Sequence, residues 1–157
     1  MALRLQPDEV CLVPEKREES TTEGGLDLVW HRRELEPTVR RLQAAGIRVS
    51  LFIDPDPKQV DTAAKLEAEM IELHTGALAN AYTEKVEREE LERLQEAAVR
   101  ATNFGLQVNA DHGINYRNIS LIHTIPNLSE LNIDHSIIAP AVGVGIGNAV
   151  REVRGGM

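Results

Sequence analysis

The chain is poor in the residues on which crosslinks, base-stacking surfaces and polyanion binding depend. Cys11 is the single cysteine in 157 residues, which excludes an internal disulfide and any zinc site built on paired thiolates. Set between Val10 and Leu12, it is expected to be a buried structural thiol. The five aromatics, Trp30, Phe52, Tyr82, Phe104 and Tyr116, are too scattered to form a stacking platform for bases. Basic residues are outnumbered, with 17 Lys and Arg against 25 Asp and Glu, and the net charge is -8. That balance opposes a nucleic-acid partner held through phosphates, which takes clustered Lys and Arg. The short basic runs His31-Arg32-Arg33 and Arg40-Arg41 read as solvated helix faces. A membrane-length apolar run is missing too. The longest uncharged stretch, Ser136 to Val150, is interrupted by Pro140, Gly143, Gly145 and Gly147 and does not span a bilayer. Met1 to Asp8 lacks the apolar core of a signal peptide. The expectation is a cytoplasmic protein with no membrane and no nucleic acid among its partners.

What is present is the composition of a globular domain, 42% apolar and 27% charged, long enough to bury a core. Short β-branched runs alternate with helical stretches. Strands are expected at Val10 to Val13, Ile47 to Ile53 and Glu69 to Leu73, with another led in by Gly105 to Asn109 and a last at Leu128 to Ile133. A helix is expected to hold Pro37 in its first turn, to bury Val39, Leu42 and Ala45, and to stop at Gly46. Another runs from Glu87 to Phe104 with Leu91, Leu94, Ala98 and Ala101 on its apolar side. Shorter helices are expected at Pro57 to Leu66 and Asn148 to Val153, with Gly143 to Gly147 a flexible entry to the latter. This alternation implies a parallel sheet with right-handed crossovers. Periodicity does not separate part of a (β/α)8 barrel from an open doubly wound sheet.

The chemistry is concentrated at the strand ends. Glu15 and Lys16 follow the first strand and Asp54 the second. Glu72 and His74 close the third, Asp111 and His112 the fourth, Asp134 and His135 the fifth. Carboxyl ends of parallel strands share one face, and that face carries the active site. Taken singly, Asp54 before Pro55 reads as a turn former or helix cap, and a lone strand-end histidine as a hydrogen-bonded surface residue. His31 and His123 lie in helical stretches and read as structural or exposed. Three histidines at successive strand ends favour a functional site. Two chemistries fit these residues: a metal site of His and carboxylate ligands, or general acid–base catalysis by a histidine.

The segment Cys11 to Asp27, which holds Pro14-Glu15-Lys16-Arg17 and Thr21-Thr22-Glu23-Gly24-Gly25, resembles a signature of the pyridoxine 5'-phosphate synthase family. So do Val49 to Asp54, Ile71-Glu72-Leu73-His74-Thr75-Gly76, Val108-Asn109-Ala110-Asp111-His112-Gly113 and Leu131-Asn132-Ile133-Asp134-His135, in that order. The resemblance implies a partial (β/α)8 TIM barrel of five βα units, the carboxyl-terminal part of a single barrel domain spanning 1–157. It favours acid–base chemistry over a metal, with no cofactor. It also implies phosphorylated small-molecule substrates: condensation of 1-deoxy-D-xylulose 5-phosphate with 3-amino-2-oxopropyl phosphate, with ring closure and loss of water and phosphate. By resemblance His112 is the proton donor and Glu72 stabilises a transition state. Thr21 contacts the deoxyxylulose phosphate, and Gly113, Asp134 and His135 lie at the second substrate's phosphate.

Two departures accompany the resemblance. The family pattern has glycine at the positions of Asp111 and Asp134. A carboxylate about 5 Å from a phosphate charge costs roughly 3 kcal/mol at an effective dielectric near 20. The family also begins with three further strands that carry its two general bases. Exposed sheet edges and an apolar inner face are therefore expected, and with them pairing with other chains, as in a homo-oligomer. Three readings stand: an active synthase completed by another polypeptide, an inactive relative serving as an interaction module, and a metal-dependent hydrolase.

Overall fold

The computed structural model describes residues 1–14 and 24–157. Glu15, Lys16 and Thr21 lie outside the described residues. Five strands, β1 (Glu9–Leu12), β2 (Arg48–Ile53), β3 (Met70–His74), β4 (Gln107–Asp111) and β5 (Leu128–Asn132), pair in parallel in their sequence order. A doubly wound sheet reverses its order at a switch point, whereas this one advances by one strand at every crossover, as barrels do. The ambiguity left by periodicity is resolved in favour of barrel-type topology.

Along each strand alternate residues face opposite ways. One row, which includes Val49, Leu51, Ile53, Ile71, Leu73, Val108 and Ala110, packs into the hydrophobic core under the helices. That core is lined from the other side by α2 (Leu28–Gln43), α3 (Pro57–Lys65) and α5 (Glu84–Asn103), through Leu28, Val39, Leu42, Val60, Ala63, Leu94, Ala97, Ala98 and Ala101. Each of these three helices starts where a side chain takes up orphan N–H groups. Asp27 accepts from Trp30 N at 3.1 Å, Asp56 from Lys58 N at 2.7 Å, and Thr83 from Val86 N at 3.3 Å. Arg100 of α5 grips Asp61 of α3 through two bonds of 2.6 and 2.8 Å, fixing neighbouring crossovers against each other.

Several expectations need correction here. Pro37 sits well inside α2, because the Asp27 cap starts the helix at Leu28; Ala45 lies beyond the helix end and is exposed. Gly46 does close the turn, with φ of 77°. The third strand is shifted by one residue. Glu69 stands outside it, its carboxylate accepting from Val49 N at 2.8 Å and from Gln43 Nε2 at 3.0 Å. The stretch from His135 is helical: α7 (His135–Val144) runs through Gly143, and only Gly145 separates it from α8 (Ile146–Gly155). Short helices α1 (Ala2–Leu5), α4 (Gly76–Ala79) and α6 (Ile119–Ile122) complete the set among the described residues.

The opposite face of the sheet is not the apolar surface expected of an open barrel. Its rows, read from strand register, are Cys11, Ser50, Met70 and Gln107; then Phe52, Glu72, Asn109 and Glu130; then His74, Asp111 and Asn132. Polar side chains dominate it, and they bond to one another, as in Gln107 Nε2 to Asn109 Oδ1 at 3.1 Å. Cys11 lies on this face and is exposed, not buried in the core as Val10 and Leu12 suggested. Its thiol is nonetheless crowded on the protein side. Burial, then the Glu72 carboxylate, push it up to about 12, so it is a poor nucleophile at neutral pH. No helix among the described residues is long and apolar enough to cross a membrane.

Candidate active site

The strand ends bring His74, Asp111, Asn132 and Asp54 to one rim, with Glu72 a layer below. β3 reads Met70-Ile71-Glu72-Leu73-His74, so its alternation sends Ile71 and Leu73 to the core and Glu72 and His74 to the polar face. Both polar residues are buried, Glu72 to 5% and His74 to 8% exposure.

Asp54 does not cap a helix; Asp56 does that. Its Oδ1 instead accepts from His74 Nδ1 at 3.0 Å and from Gly25 N at 3.2 Å. The His74 bond is the main reason that its carboxyl lies below the usual range. Sequence reading missed this pair, although parallel pairing puts the ends of β2 and β3 side by side.

His112 follows β4 in a left-handed conformation, φ 85°, and Gly113 continues it at 72°. A histidine pays for that conformation, and such strain persists where surrounding bonds impose it. Here they do. Thr75, fully buried, donates its N–H to the Asp111 carbonyl at 2.9 Å, and its hydroxyl lies 2.5 Å from the His112 carbonyl and 3.1 Å from that of Asp111. Asp111 Oδ1 accepts from His112 N at 2.5 Å. Asn115 and Asn118 donate to the Gly113 carbonyl at 2.9 and 3.0 Å. Gly113 admits no side chain: an added Cβ would come within 2.5 Å of Ala79 Cβ. The His112 ring rests near His74, with centroids 5.0 Å apart, and both stand edge-on to Phe52 at 6.5 and 5.3 Å.

Two carboxylates are destabilised. Glu72 is raised above the ordinary range by burial and then by Asp111, although Asn132 Nδ2 donates to it at 2.5 Å. Asp111 is raised by burial, with Asp134 adding to the effect. A carboxyl raised on folding binds its proton more tightly in the native state. Its stabilising contribution is whole below the unfolded value of about 4 and disappears as pH rises through the folded value. Glu72→Gln is therefore expected to stabilise the fold by about 1 kcal/mol at pH 8. The advantage should shrink as pH is lowered toward 5, measured by urea unfolding at both pH values. An advantage independent of pH would contradict the assignment.

At the last strand end, Asp134 and His135 are exposed at the start of α7. The Asp134 carboxylate accepts the His135 backbone N–H, so it occupies the position at the helix start that an anion would take. Of the six expected site residues, then, His112 and Gly113 stand at the rim of β3 and β4, with Glu72 a layer below them. Asp134 and His135 stand at the β5 end, and Thr21 is outside the described residues. Among the described residues no three of the His, Cys, Asp and Glu side chains form a group that could hold a metal ion.

A parallel sheet whose strands follow in sequence order, with polar residues gathered at the strand ends, defines the class of (β/α) barrel-type folds. Solved structures similar in shape agree on the fold. A xylose isomerase domain protein from Planctomyces limnophilus superposes with a TM-score of 0.58 at 18% identity, covering 98% of this chain and 62% of that one. D-psicose 3-epimerase, solved in the presence of D-fructose, gives 0.58 at 14% identity, covering 96% and 61%. The family model described as "Pyridoxal phosphate biosynthesis protein PdxJ" matches residues 1–157, and the chain belongs to that family. Curated relatives named pyridoxine 5'-phosphate synthase include those of Akkermansia muciniphila, 56% identical over 154 residues, and Opitutus terrae, 53% over 155. Each alignment covers 98% of this chain, and the chain spans 62% of the length of these relatives.

Proposed function

We propose that this chain forms the carboxyl-terminal five βα units of a pyridoxine 5'-phosphate synthase barrel and carries the acid side of its reaction. That reaction joins 1-deoxy-D-xylulose 5-phosphate to 3-amino-2-oxopropyl phosphate and closes a pyridine ring, with loss of water and phosphate. The observation that carries the reading is the rim of β3 and β4, where a conformationally forced histidine stands beside a second histidine and above a carboxylate of raised pKa. In this reading His112 donates a proton to the departing oxygen, and Glu72 steadies the charge that develops on the ring-closing intermediate. Gly113 gives the substrate phosphate access to backbone, and Thr21 contacts the deoxyxylulose phosphate. Dehydration at carbon needs proton transfer in both directions, and these residues supply donation. The barrel's remaining strands supply the bases.

The test is product formation from both substrates, by this chain alone and when mixed with the part of the Akkermansia muciniphila relative that lies outside the match. Synthesis in the mixture but not by the chain alone supports the proposal; synthesis by the chain alone would contradict the placing of the bases on the remaining strands. None in both favours the interaction-module reading.

Asp134 and His135 bear on phosphate affinity. The Asp134 carboxylate at the start of α7 competes for the N–H group that would otherwise hold an anion. Because Asp134 is exposed, solvent screens much of the repulsion expected from sequence. Asp134→Gly is expected to tighten 3-amino-2-oxopropyl phosphate about tenfold, by calorimetry, and more at low salt. Unchanged affinity would remove Asp134 from the phosphate site.

A further inference from the structure

The site holds a polar atom that nothing described so far employs. His74 Nε2 is buried and has no hydrogen-bond partner among the described residues. Leaving such an atom unpaired is costly, so an unpaired one in a native site calls for a use. Its environment is specific. Nδ1 is engaged by Asp54 at 3.0 Å, and against an ionised carboxylate that nitrogen carries the proton; in the neutral ring Nε2 is then a bare acceptor. Gly76 packs closely against this edge of the ring, since an added Cβ would stand 2.5 Å from Nε2 and 3.5 Å from His112 Cδ2. Beside it lies the His112 ring, with centroids 5.0 Å apart and planes at 55°. Two imidazoles joined by an N–H···N bond of about 2.9 Å have centroids roughly 5 Å apart, since each ring nitrogen lies about 1 Å from its centroid.

We propose that Asp54 and His74 form a positioning pair for His112, in which His74 Nε2 accepts a ring N–H of His112 and fixes the orientation from which His112 donates. The proposal rests on the reading of His112 as the acid. The protonated His112 ring has two N–H groups. One points to His74 and stays there; the other delivers its proton to the substrate oxygen, and its nitrogen keeps the lone pair. No proton passes through His74, and Asp54 stays ionised. The 5.0 Å centroid separation is the spacing such a bond needs. Phe52 stands edge-on to both rings. Gly25, whose N–H also binds Asp54, ties the segment before α2 to the same pair.

The test is nitrogen-15 NMR of the histidine rings in the full chain. His74 is expected to show a protonated Nδ1 and an unprotonated Nε2, with scalar coupling between His74 Nε2 and a ring N–H of His112. His74→Phe, which keeps an aromatic ring of similar size, should abolish the coupling and shift the remaining His112 signals while amide dispersion persists. Asp54→Asn should weaken the coupling and Asp54→Glu restore part of it. A proton on His74 Nε2, or His112 ring signals unmoved in His74→Phe, would overturn the proposal. In the synthesis assay His74→Phe should lower kcat about 100-fold and leave KM within about twofold, since misorientation costs rate and not binding. Full activity in His112→Gln would instead remove the acid reading and leave the coupling result standing, so the two failures are told apart.

Discussion

Replacing His112 with glutamine is expected to slow synthesis by two to four orders of magnitude, the usual worth of a positioned general acid. Glutamine keeps a donor of comparable reach but has no proton to give up at neutral pH. In the proposed reading the substrate's phosphates are held by other groups, among them the backbone at Gly113, so KM should change little. A histidine at φ 85° is strained, and Thr75, Asp111, Asn115 and Asn118 all bond to the turn that holds it there. That investment serves the direction of one side chain. Steady-state kinetics of the assembled enzyme would check it: a fall in kcat under tenfold would mean that another group donates the proton.

Gly25→Ala is expected to destabilise the fold by about 3 kcal/mol. An added Cβ would stand 2.2 Å from Asp54 N and 2.4 Å from the Ile53 carbonyl carbon. These are backbone atoms at the end of β2, so no rotamer change relieves the contact. The segment must lift, and with it would go the bonds from Leu26 N to the Phe52 carbonyl at 2.8 Å and from Gly25 N to Asp54 at 3.2 Å. Asp54 would then lose part of its hold on His74, coupling a stability defect to the site. Gly143→Ala is the control, since nothing lies within 4 Å of its added Cβ. Equal urea midpoints for the two variants would show that the close approach at Gly25 is not rigid.

Much of this was legible in the sequence because parallel strands are short, buried and bounded by turn residues. All five strands lie within two residues of their expected positions. The convergence of Glu72, His74, Asp111 and His112 followed from one rule about strand ends. Other features were hidden for identifiable reasons. Pro37 inside α2 violates helix propensity, and its place is set by the Asp27 cap and by packing of Val39 and Leu42. The polar inner face was missed because the apolar runs that mark a strand record its helix-packed side most strongly. Cys11 looked buried for the same reason, since its neighbours Val10 and Leu12 pack on the core while it faces the other way. Asp54 looked like a turn former because Pro55 follows it, and only strand register brings it to His74.

The central claim is that phosphorylated substrates bind across the ends of β3, β4 and β5 around His112. Chemical-shift mapping of the nitrogen-15 labelled chain with 3-amino-2-oxopropyl phosphate tests it most directly. The expected result is saturable movement of the signals of His112, Gly113, Asp134 and His135, with α3 and the helix-packed face of the sheet unmoved. Saturable shifts confined to residues away from these strand ends, or none at millimolar substrate, would contradict it.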